Sequence, residues 1–347
     1  MAENLINLYS DTQTRPTPAM RQAMAEAPVG DEQKGEDPSV NRLCAMTAEL
    51  VGKEDAVFLP SGTMCNEVAI LVHCRMGDEI IADKTAHIIN SEAGGPAALA
   101  GALIRPLDGM RGVYTADQAE TAVRANSRYT PTTSMIVIEQ TSNFGGGTVW
   151  PLETIRAIAE VARRHELALH MDGARLMNAC VASGVAAADY AAPFDSLWID
   201  LSKGLGCPIG GVLAGSGDFI AQAWRWKQRL GGAMRQAGII AAAGVYALEN
   251  NVERLAEDHA NARLFADLLA DVPGIAVEPE AVETNIVFFD VGDTGLTADQ
   301  VAERLADHGV RIGPMGEDLM RAVTHLDVTT EQVAKAAAAV RAVVEAA

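Results

Sequence analysis

The chain has 347 residues, of which 49% are hydrophobic and 21% charged, and its formal net charge is −19. A chain of this length and hydrophobic content is expected to bury a sizeable core and to form two domains. The strong negative charge repels phosphate backbones and anionic lipids, which argues against nucleic acid and membrane surfaces as partners.

Cysteine usage and the absence of targeting signals predict a cytoplasmic protein. The five cysteines form no C-x-x-C pair, and their number is odd. This pattern is typical of reduced thiols rather than of a disulfide framework. The first 15 residues lack a basic stretch followed by an apolar one, so no signal peptide is expected. The apolar window 239–248 is too short to span a bilayer.

Short apolar runs alternate with helical patterns through the first 250 residues. An Ala-rich helix is predicted after the apolar run at 79–83. Strands are predicted at 56–60, 79–83, 134–138, 167–171 and 196–201, and helices at 63–75 and 151–165. Continuous apolar strands separated by helices favour an α/β fold with a mainly parallel sheet that is covered on both faces. Such a sheet binds ligands at the carboxyl ends of its strands.

The character of the sequence changes after about residue 250. Long helices are predicted at 251–272, from 297 and from 329, with short strands at 275–277, 285–290, 310–312 and 321–324. This alternation predicts a small α+β domain. We therefore expect a large domain at 1–250 and a small C-terminal domain at 251–347.

The first candidate site segment is Ser61-Gly62-Thr63, between a predicted strand and a predicted helix. Small residues allow backbone N–H groups to approach an anion, and the amino end of a helix favours negative charge. The segment is a candidate phosphate cradle. Turns of this composition also occur for reasons of turn geometry alone.

Three further candidates follow predicted strands, and each has an ordinary structural alternative. His87 follows the strand at 79–83, although a lone histidine is often structural. Asp172 ends an apolar strand, where it could instead cap a helix or pair with Arg175. Lys203 follows a buried strand and precedes glycines, where an amine can lose water and become reactive.

Together these residue types match the requirements of pyridoxal 5′-phosphate. The cofactor needs an amine that attaches covalently to its aldehyde, a carboxylate that keeps its ring nitrogen protonated, and an anion cradle. Lys203, Asp172 and the segment 61–63 supply these groups in turn. His87 is placed to stack on the ring. No spacing in the sequence indicates a metal site.

The sequence resembles the threonine aldolases along nearly its whole length. The matching motifs occur in the family's order: Ser10-Asp11-Thr12, Pro16-Thr17-Pro18-Ala19-Met20-Arg21, Val29-Gly30-Asp31, Gly35-Glu36-Asp37-Pro38, Asn41, Ser61-Gly62-Thr63-Met64, Ala86-His87, Glu92-Ala93-Gly94-Gly95, His170-Met171-Asp172-Gly173-Ala174-Arg175, Ser202-Lys203-Gly204, Met234-Arg235-Gln236-Ala237-Gly238 and Arg321-Ala322-Val323-Thr324-His325.

The resemblance implies an aspartate-aminotransferase-like fold and a lyase that cleaves β-hydroxy amino acids, such as L-threonine or L-allo-threonine, to glycine and an aldehyde. It implies a homodimer or homotetramer with active sites at the subunit interface, to which the N-terminal segment contributes. It also implies that Lys203 carries the cofactor, with Asp172 on the ring nitrogen and His87 on the ring face.

The resemblance further implies which residues hold the anionic groups. Ser61, Gly62 and Thr63 are expected to bind the cofactor phosphate with Arg235, which is expected to come from the neighbouring subunit. Ser10, Arg175 and Arg321 are expected to clamp the substrate carboxylate, with Arg175 also close to the cofactor. His87 is the candidate base for the β-hydroxyl proton.

The sequence departs from the family pattern near the substrate side chain. Ser142 stands where the family commonly has a histidine, Lys34 where it often has a tyrosine, and Ser91 where some members have an aromatic residue. Drift between subfamilies is the simpler explanation. The alternative is a more polar pocket, with Lys34 and Ser142 at the substrate, that prefers polar or acidic β-hydroxy amino acids.

Two other functions fit parts of the same pattern. A β-eliminating lyase or an aminotransferase could use the same fold and cofactor. A catalytically silent binding protein is the second alternative, but Lys203, Asp172 and both arginines argue against it.

Overall fold

A computed structural model describes residues 5–346 of the chain. These residues divide into two compact units. The larger unit comprises Pro16–Val252, and the smaller unit takes in the chain up to Arg15 and from Glu253 onward. No helix of the described residues is both long and apolar enough to span a bilayer.

Strands and helices alternate along both units. The strands are β1 Ile6–Asn7, β2 Asp55–Leu59, β3 Glu79–Asp83, β4 Leu103–Leu107, β5 Thr133–Glu139, β6 Ala168–Gly173, β7 Ser196–Asp200, β8 Gly211–Gly215, β9 Ile286–Asp290, β10 Val310–Arg311, β11 Gly313–Pro314 and β12 Leu319–Val323. The α-helices are α1 Pro18–Ala25, α2 Pro38–Val51, α3 Gly62–His73, α4 His87–Asn90, α5 Ala116–Ala122, α6 Leu152–Arg164, α7 Leu176–Ser183, α8 Ala187–Ala191, α9 Gly217–Arg229, α10 Gly238–Asn250, α11 Leu255–Ala270, α12 Ala298–Asp307 and α13 Thr330–Glu345.

The larger unit is built on a seven-stranded sheet in the order β2-β8-β7-β6-β5-β3-β4. Strands β3 to β7 are mutually parallel, and β8 runs antiparallel to both of its neighbours, β2 and β7. Six strands therefore share one direction, as predicted, and their carboxyl ends lie at one edge of the sheet.

Most of the sheet is buried because its strands are continuously apolar, whereas the edge strand β4 is partly exposed. Val57, Trp198 and Leu213 pack against α3 and α9 in one cluster, together with Val68 and Phe219. Ile80, Ala82 and Val137 belong to a second cluster. Burial of both faces follows from apolar side chains at successive rather than alternate positions.

The smaller unit contains a three-stranded antiparallel sheet in the order β11-β12-β9. Its core includes Phe265 on α11, Phe289 on β9 and Val340 on α13. The sequence assigned the first residues to the large domain, whereas here they group with the C-terminal unit. The physical reason is pairing: β1 lies parallel to β10, and the Leu8 N–H donates to the Arg311 carbonyl at 2.8 Å.

Two strands of the seven-stranded sheet were not expected from the sequence. β4 contains Pro106 and lies at the edge of the sheet, where a residue without an N–H is tolerated. β8 begins and ends with glycine, which weakens the local strand signal. Both strands depend on neighbours that a local pattern cannot reveal.

Three local predictions were wrong in type or extent. The Ala-rich segment after β3 is a short π-helical turn, Pro96–Ala100, which ends at Gly101 with φ of 63°. Residues 275–277 form no strand, and Ala276 makes only a single bridge to Asp290. The helix predicted from 251 begins at Leu255.

Candidate active site

Four predicted site residues of the larger unit lie at the carboxyl ends of four strands. Ser61 follows β2, His87 follows β3, Asp172 lies near the end of β6, and Lys203 follows β7. These four strands share one direction, so the sheet brings the residues to one edge.

The candidate phosphate cradle lies at the amino end of α3. Ser61 caps this helix, and its side chain accepts a hydrogen bond from the Met64 N–H at 3.2 Å. A Cβ on Gly62 would lie 2.2 Å from Cη2 of Trp198, so only glycine fits against this ring. The helix terminus therefore offers backbone N–H groups at a point where a buried ring fixes its position.

Asp172 is a buried carboxylate that is held by hydrogen bonds. Its Oδ2 accepts from the Asn66 side-chain amide at 2.8 Å, and its Oδ1 accepts from the Ala174 N–H at 3.1 Å. Burial raises the pKa of Asp172 above its ordinary value, and His87, Asn66 and Lys203 act in the opposite direction. A buried carboxylate of this kind gains from a cationic partner.

His87 is half-buried and lies among carboxylates. Its Nδ1 lies 2.8 Å from Oε1 of Glu92, and its backbone N–H donates to Oε2 of Glu139 at 2.7 Å. One ring nitrogen of His87 and one oxygen each of Glu92 and Asp172 lie within 4.8 Å of one another. Burial lowers the pKa of His87, but the Glu92 hydrogen bond and the charges of Asp172, Glu92 and Glu139 outweigh it and raise the pKa overall.

Lys203 lies close to the carboxylate of Asp200. Its Nζ donates to Oδ2 of Asp200 at 2.6 Å, and 16% of the Lys203 side chain is exposed. Asp200 is fixed in turn by the backbone N–H and the hydroxyl of Ser202, at 2.7 and 2.8 Å. Nζ also lies 5.6 Å from the centre of a Trp198 ring. The amine is thus held in one place and remains accessible.

Arg175 lines the same small crevice as Lys203 and Asp200. Its Nη1 donates to Oδ1 of Asn143 at 3.2 Å, and the residue is 5% exposed. The Asn143 N–H donates to Oε1 of Glu139 at 2.7 Å. A chain of contacts therefore orients the guanidinium at this edge of the sheet.

Three other predicted residues have different surroundings. The hydroxyl of buried Ser142 accepts a hydrogen bond from the Gly145 N–H at 3.2 Å, and this contact stabilises the loop that contains both residues. Lys34 is exposed at the end of the 3-10 turn Glu32–Lys34. Arg235 pairs with Asp31 at 2.8 Å, and 62% of its side chain is exposed. Their roles at a cofactor or substrate stay predictions.

Ser10 and Arg321 belong to the smaller unit. The Ser10 hydroxyl accepts from the Thr12 N–H at 3.2 Å and from the Thr12 hydroxyl at 2.8 Å, which caps a 3-10 turn. Arg321 lies in the middle of β12, paired with Phe288 of β9. Their predicted part in binding a carboxylate stays a prediction.

Sequence reasoning missed several polar residues around Asp172. Asn66 and Glu67 lie on α3, Glu139 ends β5, and Glu92 appeared only as part of a motif. The signal that could have found them was a charge or amide at an otherwise buried position of an apolar helix or strand. Such groups need partners, and those partners define a site.

The residues at this edge fit pyridoxal phosphate. An accessible amine, a buried carboxylate oriented by Asn66, and a helix terminus kept open by Gly62 occur together. These are the groups that bind the aldehyde, the ring nitrogen and the phosphate of the cofactor.

Comparisons with known proteins agree with this geometry. A family model described as Beta-eliminating lyase matches residues 7–292. A low specificity L-threonine aldolase of Escherichia coli (strain K12) is 43% identical over 339 residues, which cover 97% of this chain and 99% of that protein. The low-specificity L-threonine aldolase 1 of Arabidopsis thaliana is 39% identical over 96% of this chain and 94% of that protein.

A solved structure confirms the predicted fold. The threonine aldolase of Leishmania major superposes with a TM-score of 0.83 at 21% identity, covering 98% of this chain and 99% of that one. The family match extends over most of the chain, and the named relatives align almost end to end. The chain therefore belongs to the β-eliminating lyase family of pyridoxal-phosphate-dependent enzymes, among its threonine aldolases.

Proposed function

We propose that this enzyme cleaves L-threonine, L-allo-threonine or related β-hydroxy amino acids to glycine and an aldehyde. The observation that carries the proposal is the convergence of Lys203, Asp172 and the amino end of α3 at one edge of the sheet. The names of the relatives in Escherichia coli and Arabidopsis thaliana support the same reaction.

Cofactor binding follows from the charges at this edge. Lys203 binds the cofactor aldehyde, and Asp172 holds a proton on the ring nitrogen. Ser61, Gly62 and Thr63 bind the phosphate, and His87 lies against the ring face. When bound, the cofactor supplies an electron sink for the carbanion that remains after the Cα–Cβ bond breaks.

Substrate orientation is assigned to the arginines. Arg175, together with Ser10 and Arg321, binds the substrate carboxylate, for which a planar guanidinium is well suited. The contact from Asn143 supports this role because it fixes the Arg175 guanidinium beside Lys203. A carboxylate fixed in this way would hold the substrate in one orientation for cleavage of its Cα–Cβ bond.

His87 is assigned as the base that takes the β-hydroxyl proton, directly or through a water. Its Nδ1 is engaged by Glu92, which leaves Nε2 to accept a proton. The upward pKa shift of His87 favours holding that proton once it has been accepted.

The assembly and location of the enzyme are part of the proposal. We assign it as a cytoplasmic homodimer or homotetramer in which Arg235 of one subunit serves the phosphate of its neighbour. The exposed position of Arg235 supports a role across an interface. All five cysteines are free, as expected for a reducing compartment.

The decisive experiment measures products and cofactor together. Purified protein is reconstituted with pyridoxal phosphate, its absorbance is recorded, and L-threonine and L-allo-threonine are added while glycine and acetaldehyde are assayed. We expect the two products in equal amounts, and loss of both activity and the protein-bound cofactor band in Lys203→Ala. Lys335→Ala changes an exposed lysine on α13 and serves as the control.

The alternative reactions give different products. Elimination would yield pyruvate and ammonia from serine or cysteine, and transamination would consume a keto acid. Either result without glycine would overturn the aldolase assignment. A protein that binds no cofactor after reconstitution would overturn the assigned roles of Lys203 and Asp172 as well.

A further inference from the structure

Glu67 is a buried carboxyl group for which the proposed mechanism has no use. It lies on α3 beside Asn66, and it is 4% exposed. Neither of its oxygens, nor Oε2 of Glu92, meets a hydrogen-bond donor among the described residues. A buried carboxylate without a donor is costly, so this pair of side chains requires an explanation.

The two carboxyl groups differ in their surroundings. Oε1 of Glu92 accepts from the Asn66 side chain at 2.7 Å and contacts Nδ1 of His87 at 2.8 Å. Both contacts engage the same oxygen of Glu92. Glu67 has no comparable hydrogen-bond partner, and Glu92 is the charged group that acts on its pKa.

The local backbone makes room for this arrangement. A Cβ on Gly95 would lie 1.9 Å from Oε1 of Glu67, so the Glu67 carboxyl group occupies the space that a side chain at residue 95 would fill. Gly95 begins the turn that follows Glu92, and its N–H donates to the Glu92 carbonyl at 2.8 Å. The glycine allows Glu67 to approach the segment that carries Glu92.

We propose that Glu67 and Glu92 share one proton at neutral pH and together set the negative charge that faces His87. Glu67 is then a positioning residue for proton transfer, since it acts on His87 through Glu92. The inference deepens the proposed function, and its link to catalysis rests on the assigned role of His87.

The direction of the Glu67 shift agrees with this arrangement. Burial, followed by the charge of Glu92, raises the pKa of Glu67 to about 8. Below that pH the pair carries one negative charge, and above it the pair carries two. Two carboxyl groups in contact commonly hold one proton between them for this reason.

The second charge acts on a histidine that already faces several carboxylates. Glu92, Asp172 and Glu139 all raise the pKa of His87. Loss of the shared proton adds to their effect, so His87 holds its proton more tightly above the pH at which Glu67 ionises. The pair therefore couples the basicity of His87 to pH.

The test combines a pH profile with infrared spectroscopy of the holoenzyme. The wild type, Glu67→Gln and Glu67→Leu are compared, with Glu160→Gln on the exposed face of α6 as the control. The infrared spectrum of the wild type at pH 7 is expected to contain the carbonyl stretch of a protonated carboxylic acid. That band should disappear as Glu67 ionises near pH 8.

In both Glu67 variants the part of the band that is lost near pH 8 should be absent, whereas the part that belongs to Glu139, whose pKa burial raises to about 7, should remain. The kcat profile of the variants should lose its ionisation near pH 8. The KM of the amino acid should stay within about twofold, because Glu67 does not touch the substrate.

A wild-type spectrum without the band at pH 7, or variant profiles that superpose on the wild type, would overturn the inference. If the wild type produces no glycine, the proposed function fails, and the infrared arm still decides whether the proton is shared. If neither variant folds, the pH dependence of the wild-type band decides alone.

Discussion

Asn66 donates a hydrogen bond from its side-chain amide to Oδ2 of Asp172, over a distance of 2.8 Å. The same amide nitrogen donates to Glu92, and the Asn66 carbonyl oxygen accepts from the Trp198 indole at 2.7 Å. One side chain thus joins Asp172, the Glu92 partner of His87, and the Trp198 ring that packs against Gly62.

Replacement of Asn66 by alanine is expected to lower kcat by about 10- to 100-fold, the range for one lost hydrogen bond to a charged group. Without the amide donor the pKa of Asp172 rises further, so its carboxylate holds the ring-nitrogen proton less well. Steady-state kinetics of glycine formation measure the effect. Asn126→Ala, at an exposed loop position, is the matched control, and equal kcat values in both variants would contradict the prediction.

Replacement of Gly62 by alanine is expected to destabilise the protein by about 1–3 kcal/mol and to weaken cofactor binding. The new Cβ would lie 2.2 Å from the buried Trp198 ring, so either the ring or the amino end of α3 has to move. Thermal unfolding and cofactor titration measure the two effects.

Gly217→Ala provides the control for that substitution. Gly217 begins α9, and a Cβ there would meet only Glu54 at 3.6 Å, which is ordinary contact. An alanine should therefore be tolerated at residue 217. If Gly62→Ala and Gly217→Ala bind the cofactor with equal affinity, the packing of Gly62 against Trp198 does not determine how tightly the candidate phosphate cradle binds.

Acidification is expected to destabilise the larger unit through buried histidines. Burial lowers the pKa of His73 to about 4 and that of His170 to about 3, against an ordinary value of 6.5. Both rings contact the Ser196 hydroxyl at 2.8 Å. Between pH 6.5 and 4 the unfolded chain binds protons that the folded protein does not, so stability falls as the pH falls.

The contribution of His73 is measured as a slope. In His73→Gln the dependence of the unfolding free energy on pH should decrease by up to about 1.4 kcal/mol per pH unit between these limits, because one titrating group is removed. Urea unfolding across the pH range provides the values. His308→Gln, at the exposed end of α12, is the control for replacing an exposed histidine, and a slope in His73→Gln equal to that of the wild type would contradict the assignment.

Mixing of inactive subunits tests the role of Arg235 across an interface. Lys203→Ala and Arg235→Ala subunits are each expected to be inactive, whereas their hybrids contain one site with both residues intact. Random pairing should restore about a quarter of wild-type activity, since half of the dimers are hybrids and half of their sites are complete. No recovery in verified hybrids would place Arg235 at the site of its own subunit.

Lys34 tests the preference for polar substrates. If this cation contacts the substrate side chain, Lys34→Ala should lower kcat/KM for β-hydroxyaspartate by about tenfold and leave that for threonine unchanged. Lys335→Ala is the control for the loss of one exposed cation. A clear threonine preference that Lys34→Ala does not alter would remove the hypothesis and leave drift between subfamilies as the explanation.

Local sequence patterns predicted much of the large unit. β3, β5 and β7 lie within a residue or two of their predicted ranges, because each is an apolar run bounded by turns. β4 and β8 were missed because proline and glycine weaken the local signal, and both strands are stabilised by pairing with residues distant in sequence.

The candidate site shows the same division. The sequence predicts Lys203, Asp172 and Ser61 as candidates because each lies at the end of an apolar strand and carries a chemistry that the cofactor requires. It does not predict Asn66 and Glu67, because their importance lies in contacts with Asp172 and Glu92 that helix periodicity does not describe.

The sequence by itself determined the fold class, the cofactor and the family, because these depend on residue types placed after apolar strands in a fixed order. Only the tertiary structure decided which buried polar groups lie close enough to change one another's pKa. The order of the strands brings Glu139 beside Asp172, and α3 carries Asn66 and Glu67 to the same edge. The pKa of a buried group depends on its burial and on its neighbours in space, and neither is written in the local sequence.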